Sequence, residues 1–115
     1  MKIVYSMILM LFSTSLLWAG EAILTPNIYI DVEIAVRSIT LEQLRERVSG
    51  EETGINYKQR IQEKYHYYAV SAGEHVRYAN DHQAEIDAWL MVHPDKQLQL
   101  YNLNQEFNQL IQMTE

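Results

Sequence analysis

The sequence contains no cysteine, and this absence excludes several kinds of chemistry at once. Without cysteine there are no disulfides, no thiolate metal ligands, no cysteine nucleophile and no cysteine for lipid attachment after a signal peptide. Glycine is also scarce, with 4 residues among 115, and these glycines form no phosphate-binding loop. Packing alone must therefore hold the folded chain together.

Positive charge is the second thing that the chain has little of. It has 9 Lys and Arg against 15 Asp and Glu, which gives a formal net charge of −6 at pH 7. Its cations are interleaved with glutamates, whereas binding to nucleic acid of any sequence depends on clustered cations that release counterions from phosphates. We therefore expect no nucleic-acid partner and no attraction to anionic membrane surfaces.

Residues 1–22 have the three parts of a secretory signal peptide. Lys2 gives a positive start, an apolar segment follows, and the small residues Gly20 and Ala22 fit cleavage after Ala22. The sequence therefore predicts a periplasmic or secreted protein. The alternative is a retained anchor, because residues 3–19 reach the lower limit of about 17 residues for a membrane-spanning helix. We expect membrane association only in that case.

The rest of the chain, residues 23–115, is predicted to be a single all-α domain, a small bundle of four to five helices. Three segments carry apolar residues at helical spacing on one face. These are Ile30, Ile34, Leu41, Leu44 and Val48; Tyr57, Ile61, Tyr65 and Tyr68; and Leu100, Leu103, Phe107, Leu110 and Ile111.

Signals for helix starts and ends support the same assignment. Thr25-Pro26 and His93-Pro94 place proline at the first helical position, where its missing N–H costs nothing. Ser71 with Glu74 forms a capping box, and Asn56 is predicted to start the second helix. Gly50 is predicted to end the first helix.

The first of these helices has an alternative interpretation, because residues 28–37 alternate apolar and polar and are rich in β-branched residues. That pattern also fits a β-strand, which would make the fold α+β. A strand needs a neighbour for its backbone groups, and no other segment after residue 40 alternates convincingly. We therefore favour a helix, with a break near Ser38 because Thr40 and Gln43 form a capping-box pattern.

Three histidines, His66, His75 and His82, lie in the middle of the chain and suggest a metal site. Their spacings of nine and seven residues match no established ligand pattern, so we expect no metal and no cofactor. No serine of residues 23–115 lies in a Gly-rich elbow, and nothing marks any carboxylate as buried. We therefore predict that the protein is not an enzyme.

Exposed aromatic residues indicate a different kind of function. Helical projection places Tyr67 and Tyr78 away from the apolar faces of their helices, and His66 opposite the face of Tyr57. Together with His75 they are predicted to form a partner-binding surface, because tyrosine gives a large contact area at low entropic cost. The alternative is that a second layer of the domain covers these rings.

The sequence therefore predicts a small exported helical protein that acts by macromolecular binding, as an accessory, chaperone-like or assembly factor of the bacterial envelope. Its expected partner is another protein. One alternative is a periplasmic inhibitor or immunity protein directed against an exported toxin or hydrolase, since an acidic chain is steered towards a basic target. Another is a metal or small-ligand carrier that uses His66, His75 and His82.

Overall fold

The computed structural model describes residues 24–114, and these form five α-helices and no β-strand. The helices are α1 Pro26–Ser49, α2 Tyr57–Tyr68, α3 Ala72–Asp81, α4 Gln83–Met91 and α5 Pro94–Met113. The predicted all-α fold is thus confirmed for this part of the chain, and the predicted signal peptide lies outside the described residues. None of the five helices combines the length and the apolar character that a membrane span requires.

Helix α1 is continuous, so the strand alternative for residues 28–37 and the break near Ser38 are both wrong. Its start follows the prediction, because the Thr25 side chain accepts a hydrogen bond from the Ile28 N–H at 3.3 Å and Pro26 comes next. In the continuous helix the Thr40 hydroxyl donates to the Val36 carbonyl at 2.9 Å and does not cap a new helix.

Helix α1 is the central element, and it contacts all four other helices. Helices α2 and α5 have almost no contact with each other, so they flank α1 on different sides. Helix α2 runs antiparallel to α1: the Tyr57 hydroxyl donates to Glu46 at 2.5 Å, and Arg60 binds Glu42 one turn earlier in α1 at 2.6 Å.

Helix α5 runs parallel to α1. Lys96, at its start, lies 3.5 Å from Asp31 near the start of α1, whereas Glu106 binds Arg45 near the end of α1. The short helices α3 and α4 pack at the same end of α1 as Asp31. The domain is therefore a layer of three helices, α2, α1 and α5, with α3 and α4 closing one end.

The core lies where α1, α4 and α5 meet. Ile30 is 1% exposed and packs with the buried Ile34 and Ile86, and half-buried rings and leucines surround this cluster. Val32 is fully buried on the opposite side of α1, because that half of the helix is covered from both directions. In contrast, no residue of α5 is buried, so α5 packs through a single face.

Helix α2 ends at a strained residue, Ala69, whose φ of 58° lies in the left-handed region. The Val70 N–H donates to the Tyr65 carbonyl at 3.0 Å, and Val70 itself is buried, so the turn is a Schellman motif that holds alanine where glycine is usual. Gly50, with a φ of 79°, ends α1 in the same conformation.

This strain gives a stability prediction with opposite signs at two positions. Ala69→Gly relieves the contact between Cβ and backbone, and we expect it to raise the free energy of unfolding by about 0.5–1 kcal/mol. Gly50→Ala introduces the same strain and should lower it by about 1 kcal/mol, since open space surrounds Gly50 and the cost is that of the backbone alone. Urea denaturation measures both, and a loss of stability in Ala69→Gly would contradict this explanation.

Candidate functional site

The four residues predicted to form one surface lie in two different environments. His66 and Tyr67 are exposed at the end of α2, with Tyr67 78% exposed. His75 is only 6% exposed, so its predicted place on the surface is wrong. Tyr78 is half-buried, because its ring packs against Tyr29 of α1 at a centroid distance of 5.7 Å. The exposed candidate surface is therefore the pair His66 and Tyr67.

The Tyr67 ring has one fixed neighbour, the half-buried ring of Tyr68. The two rings meet edge to face, with centroids 5.0 Å apart and planes at 89°, which is a favourable aromatic geometry. The helix below them is anchored by Tyr57, which is buried, and by Tyr65, which is half-buried, as their spacing predicts. Helix α2 therefore turns one side towards α1 and leaves Tyr67 in solvent.

His75 belongs to a buried polar cluster that links α3 to α1. Its Nε2 lies 2.6 Å from Oε1 of Glu33, and its ring stacks on Tyr29 with centroids 4.3 Å apart. Since an ionised carboxylate only accepts hydrogen bonds, Nε2 is the nitrogen that carries the proton in this pair. His75 Nδ1 is buried without a hydrogen-bond partner, which is the less costly arrangement when that nitrogen carries no proton.

Glu33 is the centre of this cluster. Its Oε2 accepts a hydrogen bond of 2.6 Å from Nε of Arg37, and Arg37 also donates to Asn104 of α5. Burial alone would raise the pKa of Glu33, but the hydrogen bonds from His75 and Arg37 outweigh it and lower the pKa. Through these bonds one carboxylate connects α1 to α3 and, by way of Arg37, to α5.

The neighbouring aromatic rings form a stack that continues from this cluster to the surface. Burial, and then the charge of Glu33, raise the pKa of Tyr29, so its phenol stays neutral at physiological pH. Beyond Tyr78, the ring of His82 stacks at 4.4 Å, and His82 Nδ1 lies 2.5 Å from Glu85. The stack fixes α3 against the start of α1.

The histidines suggested as metal ligands are bound to separate carboxylates, His75 to Glu33 and His82 to Glu85. His66 is exposed on α2. Among residues 24–114, no three side chains of the types that ligate metals come together in a group that could hold an ion. His66, His75 and His82 are therefore not assembled into one metal site within that range.

Two of the concave features border the polar cluster or the aromatic stack. A pocket of about 260 Å³ between α1 and α5 is lined by Arg37, Thr40, Asn104 and Phe107. A shallower groove lies beside Trp89, Tyr78 and His82. In the pocket the Thr40 hydroxyl is already committed to a backbone carbonyl, and Arg37 to Glu33 and Asn104, so neither is poised for catalysis.

The sequence interpretation missed Glu33 and Tyr29 as cluster residues. One local signal was present, since Glu33 and Arg37 are four residues apart and opposite charges at that spacing pair on a helix. Nothing local links Glu33 to His75, which is 42 residues further along the chain. The cluster therefore becomes visible only when α3 is folded against α1.

Comparison of the chain with protein-family models, with curated proteins and with solved structures gives no match. A function for the protein must accordingly be inferred from its own residues and their geometry.

Proposed function

We propose that the protein is an exported accessory factor of the bacterial envelope that works by binding another protein, and that it does so through His66 and Tyr67. The observation that carries the proposal is the 78% exposure of Tyr67 on an ordered helix. A monomeric domain gains no stability from a large ring in water, whereas tyrosine is enriched among the residues that dominate protein interfaces.

The Tyr67 ring lies beside a well-defined helix end. Tyr68 contacts it edge to face, and the helix stops immediately afterwards at Ala69, with Val70 buried as an anchor. Strained backbone in a residue other than glycine also tends to lie near functional positions, and Ala69 is two residues from Tyr67.

The proposed location rests on the leader-like residues 1–22 and on nothing else. The proposed mode of action rests on the described helices, where the buried polar cluster is used for packing. Its side chains hydrogen-bond to one another and so hold α1, α3 and α5 together. Among the described residues, the end of α2 carries the most exposed aromatic ring, since Tyr67 is 78% exposed and Tyr101 on α5 is 58% exposed.

A capture experiment tests the proposal. The immobilised protein is incubated with an envelope extract, and the proteins that it retains are compared for the wild type, Tyr67→Ala and Met91→Ala. Met91 on α4 is the control because its side chain is also large and largely apolar and is exposed to the same extent, at 76%.

We expect Tyr67→Ala to lose a specific protein that the wild type and Met91→Ala retain, since truncating a central interface tyrosine commonly costs about 2 kcal/mol or more. Equal thermal unfolding of the three proteins shows that the fold is intact. Retention of every specific protein by Tyr67→Ala would refute the assignment of this surface.

A further inference from the structure

Beyond its first turn, where Asp95 is exposed, the outward face of α5 is free of charge in a chain with a net charge of −6. From residue 97 to residue 114 the sequence has one charged residue, Glu106. Its carboxylate is bound to Arg45 of α1, with Nε of Arg45 at 2.8 Å, and so it is neutralised at the side of the helix. Elsewhere the chain carries the acids that give it a net charge of −6.

A row of five residues runs along this face at helical spacing. Its members are Leu98, Tyr101, Gln105, Gln109 and Gln112, at intervals of three, four, four and three residues. All five are exposed, with Leu98 59% and Tyr101 58% accessible. The half-buried leucines of α5 lie on its other side, against α1. The row is therefore a helix face without a partner within the described chain.

We propose that a second copy of this chain docks on the row, so that α5 packs against α5 in a symmetric dimer. Two chains of the same negative charge repel each other wherever charged surfaces meet. The row carries no charge, so two chains can approach each other there without this repulsion. Two-fold symmetry places the same row on both sides of the contact. Glutamine amides both donate and accept hydrogen bonds, so a glutamine row is complementary to itself.

The size of the strip sets the strength of the dimer. A helix of 20 residues is about 30 Å long. A specific interface needs a total buried area of about 1,000 Å², so a contact confined to one helix face on each chain lies at the weak end of specific interfaces. With two apolar side chains and an amide row, we expect a reversible dimer with a dissociation constant of about 10–100 μM.

Sedimentation velocity across a concentration series from about 5 to about 500 μM covers the range in which such a dimer forms. The test variant is Gln105→Glu, which places two like charges at the centre of the contact. Gln43→Glu, at an exposed position on α1, adds the same charge to the monomer elsewhere. We expect the dissociation constant of the dimer to be about tenfold higher for Gln105→Glu and unchanged for Gln43→Glu.

A second measurement uses the absence of native cysteine. Gln105→Cys should form a disulfide-linked dimer under mild oxidation much faster than Gln43→Cys, because the middle of a symmetric row lies beside its own copy. If the protein stays monomeric at every concentration, the proposal is overturned, and a different protein becomes the candidate partner for this face. Equal behaviour of the two glutamate variants, or of the two cysteine variants, overturns it as well. None of these outcomes bears on Tyr67, which lies on α2.

Discussion

Ile30→Ala should lower the free energy of unfolding by about 3 kcal/mol, because it removes buried methyl and methylene groups and leaves a cavity. Ile30 is 1% exposed and sits in the cluster with Ile34 and Ile86, so its loss loosens the contact between α1 and α4. A domain of this size has a total stability of roughly 5–10 kcal/mol. The substitution is therefore expected to remove a large part of it.

Urea denaturation followed by circular dichroism measures this effect, and two controls define its cause. Ile30→Val removes one methylene and should cost about 1 kcal/mol. Val76→Ala, at an exposed position on α3, should change the stability by less than about 0.5 kcal/mol. If Ile30→Ala were as mild as Val76→Ala, the core would not lie where the structure places it.

Glu33→Ala is the second substitution with a large expected effect, a loss of about 3 kcal/mol. It leaves the buried Nε2–H of His75 without an acceptor, which is costly, and it removes the carboxylate partner of the partly exposed Arg37. A double-mutant cycle of Glu33→Ala and His75→Ala should give a coupling energy of about 1–3 kcal/mol. Additive losses in that cycle would show that the two side chains do not stabilise each other.

The Glu33 carboxylate also makes the free energy of unfolding depend on pH, and the direction of this dependence follows from the pKa of Glu33. Hydrogen bonds from His75 and Arg37 hold the pKa of Glu33 below its usual value of 4.5 despite the opposing effect of burial. The stabilisation is therefore present above pH 4.5 and is lost as the pH falls from there through the folded-state pKa. The free energy of unfolding of the wild type should decrease over this acid range, and that of Glu33→Ala should decrease less steeply.

Much of the fold could be predicted because its signals are local. Thr25 and Pro26 start α1, Gly50 ends it, and the capping box of Ser71 and Glu74 starts α3, each through groups within a few residues of one another. The break expected near Ser38 did not occur, although its signal is of the same local kind. The Thr40–Gln43 pattern is local too, but α1 is held straight by helices packed along both of its sides.

The candidate site was harder to predict because burial depends on distant neighbours. Tyr67 was placed correctly in solvent, since its own helix decides which way it faces. His75 was placed wrongly, because the groups that cover it, Glu33 and Tyr29, come from α1. Tyr78 is half-covered by the same helix. Helical projection gives the direction of a side chain, and the tertiary fold decides what it meets.

The most direct test of the proposed function is a binding titration with purified components. The protein captured by the wild type is titrated against the wild type, Tyr67→Ala and Met91→Ala. The proposal predicts a dissociation constant at least about tenfold higher for Tyr67→Ala and unchanged for Met91→Ala. Equal affinities of the wild type and a fully folded Tyr67→Ala would contradict it.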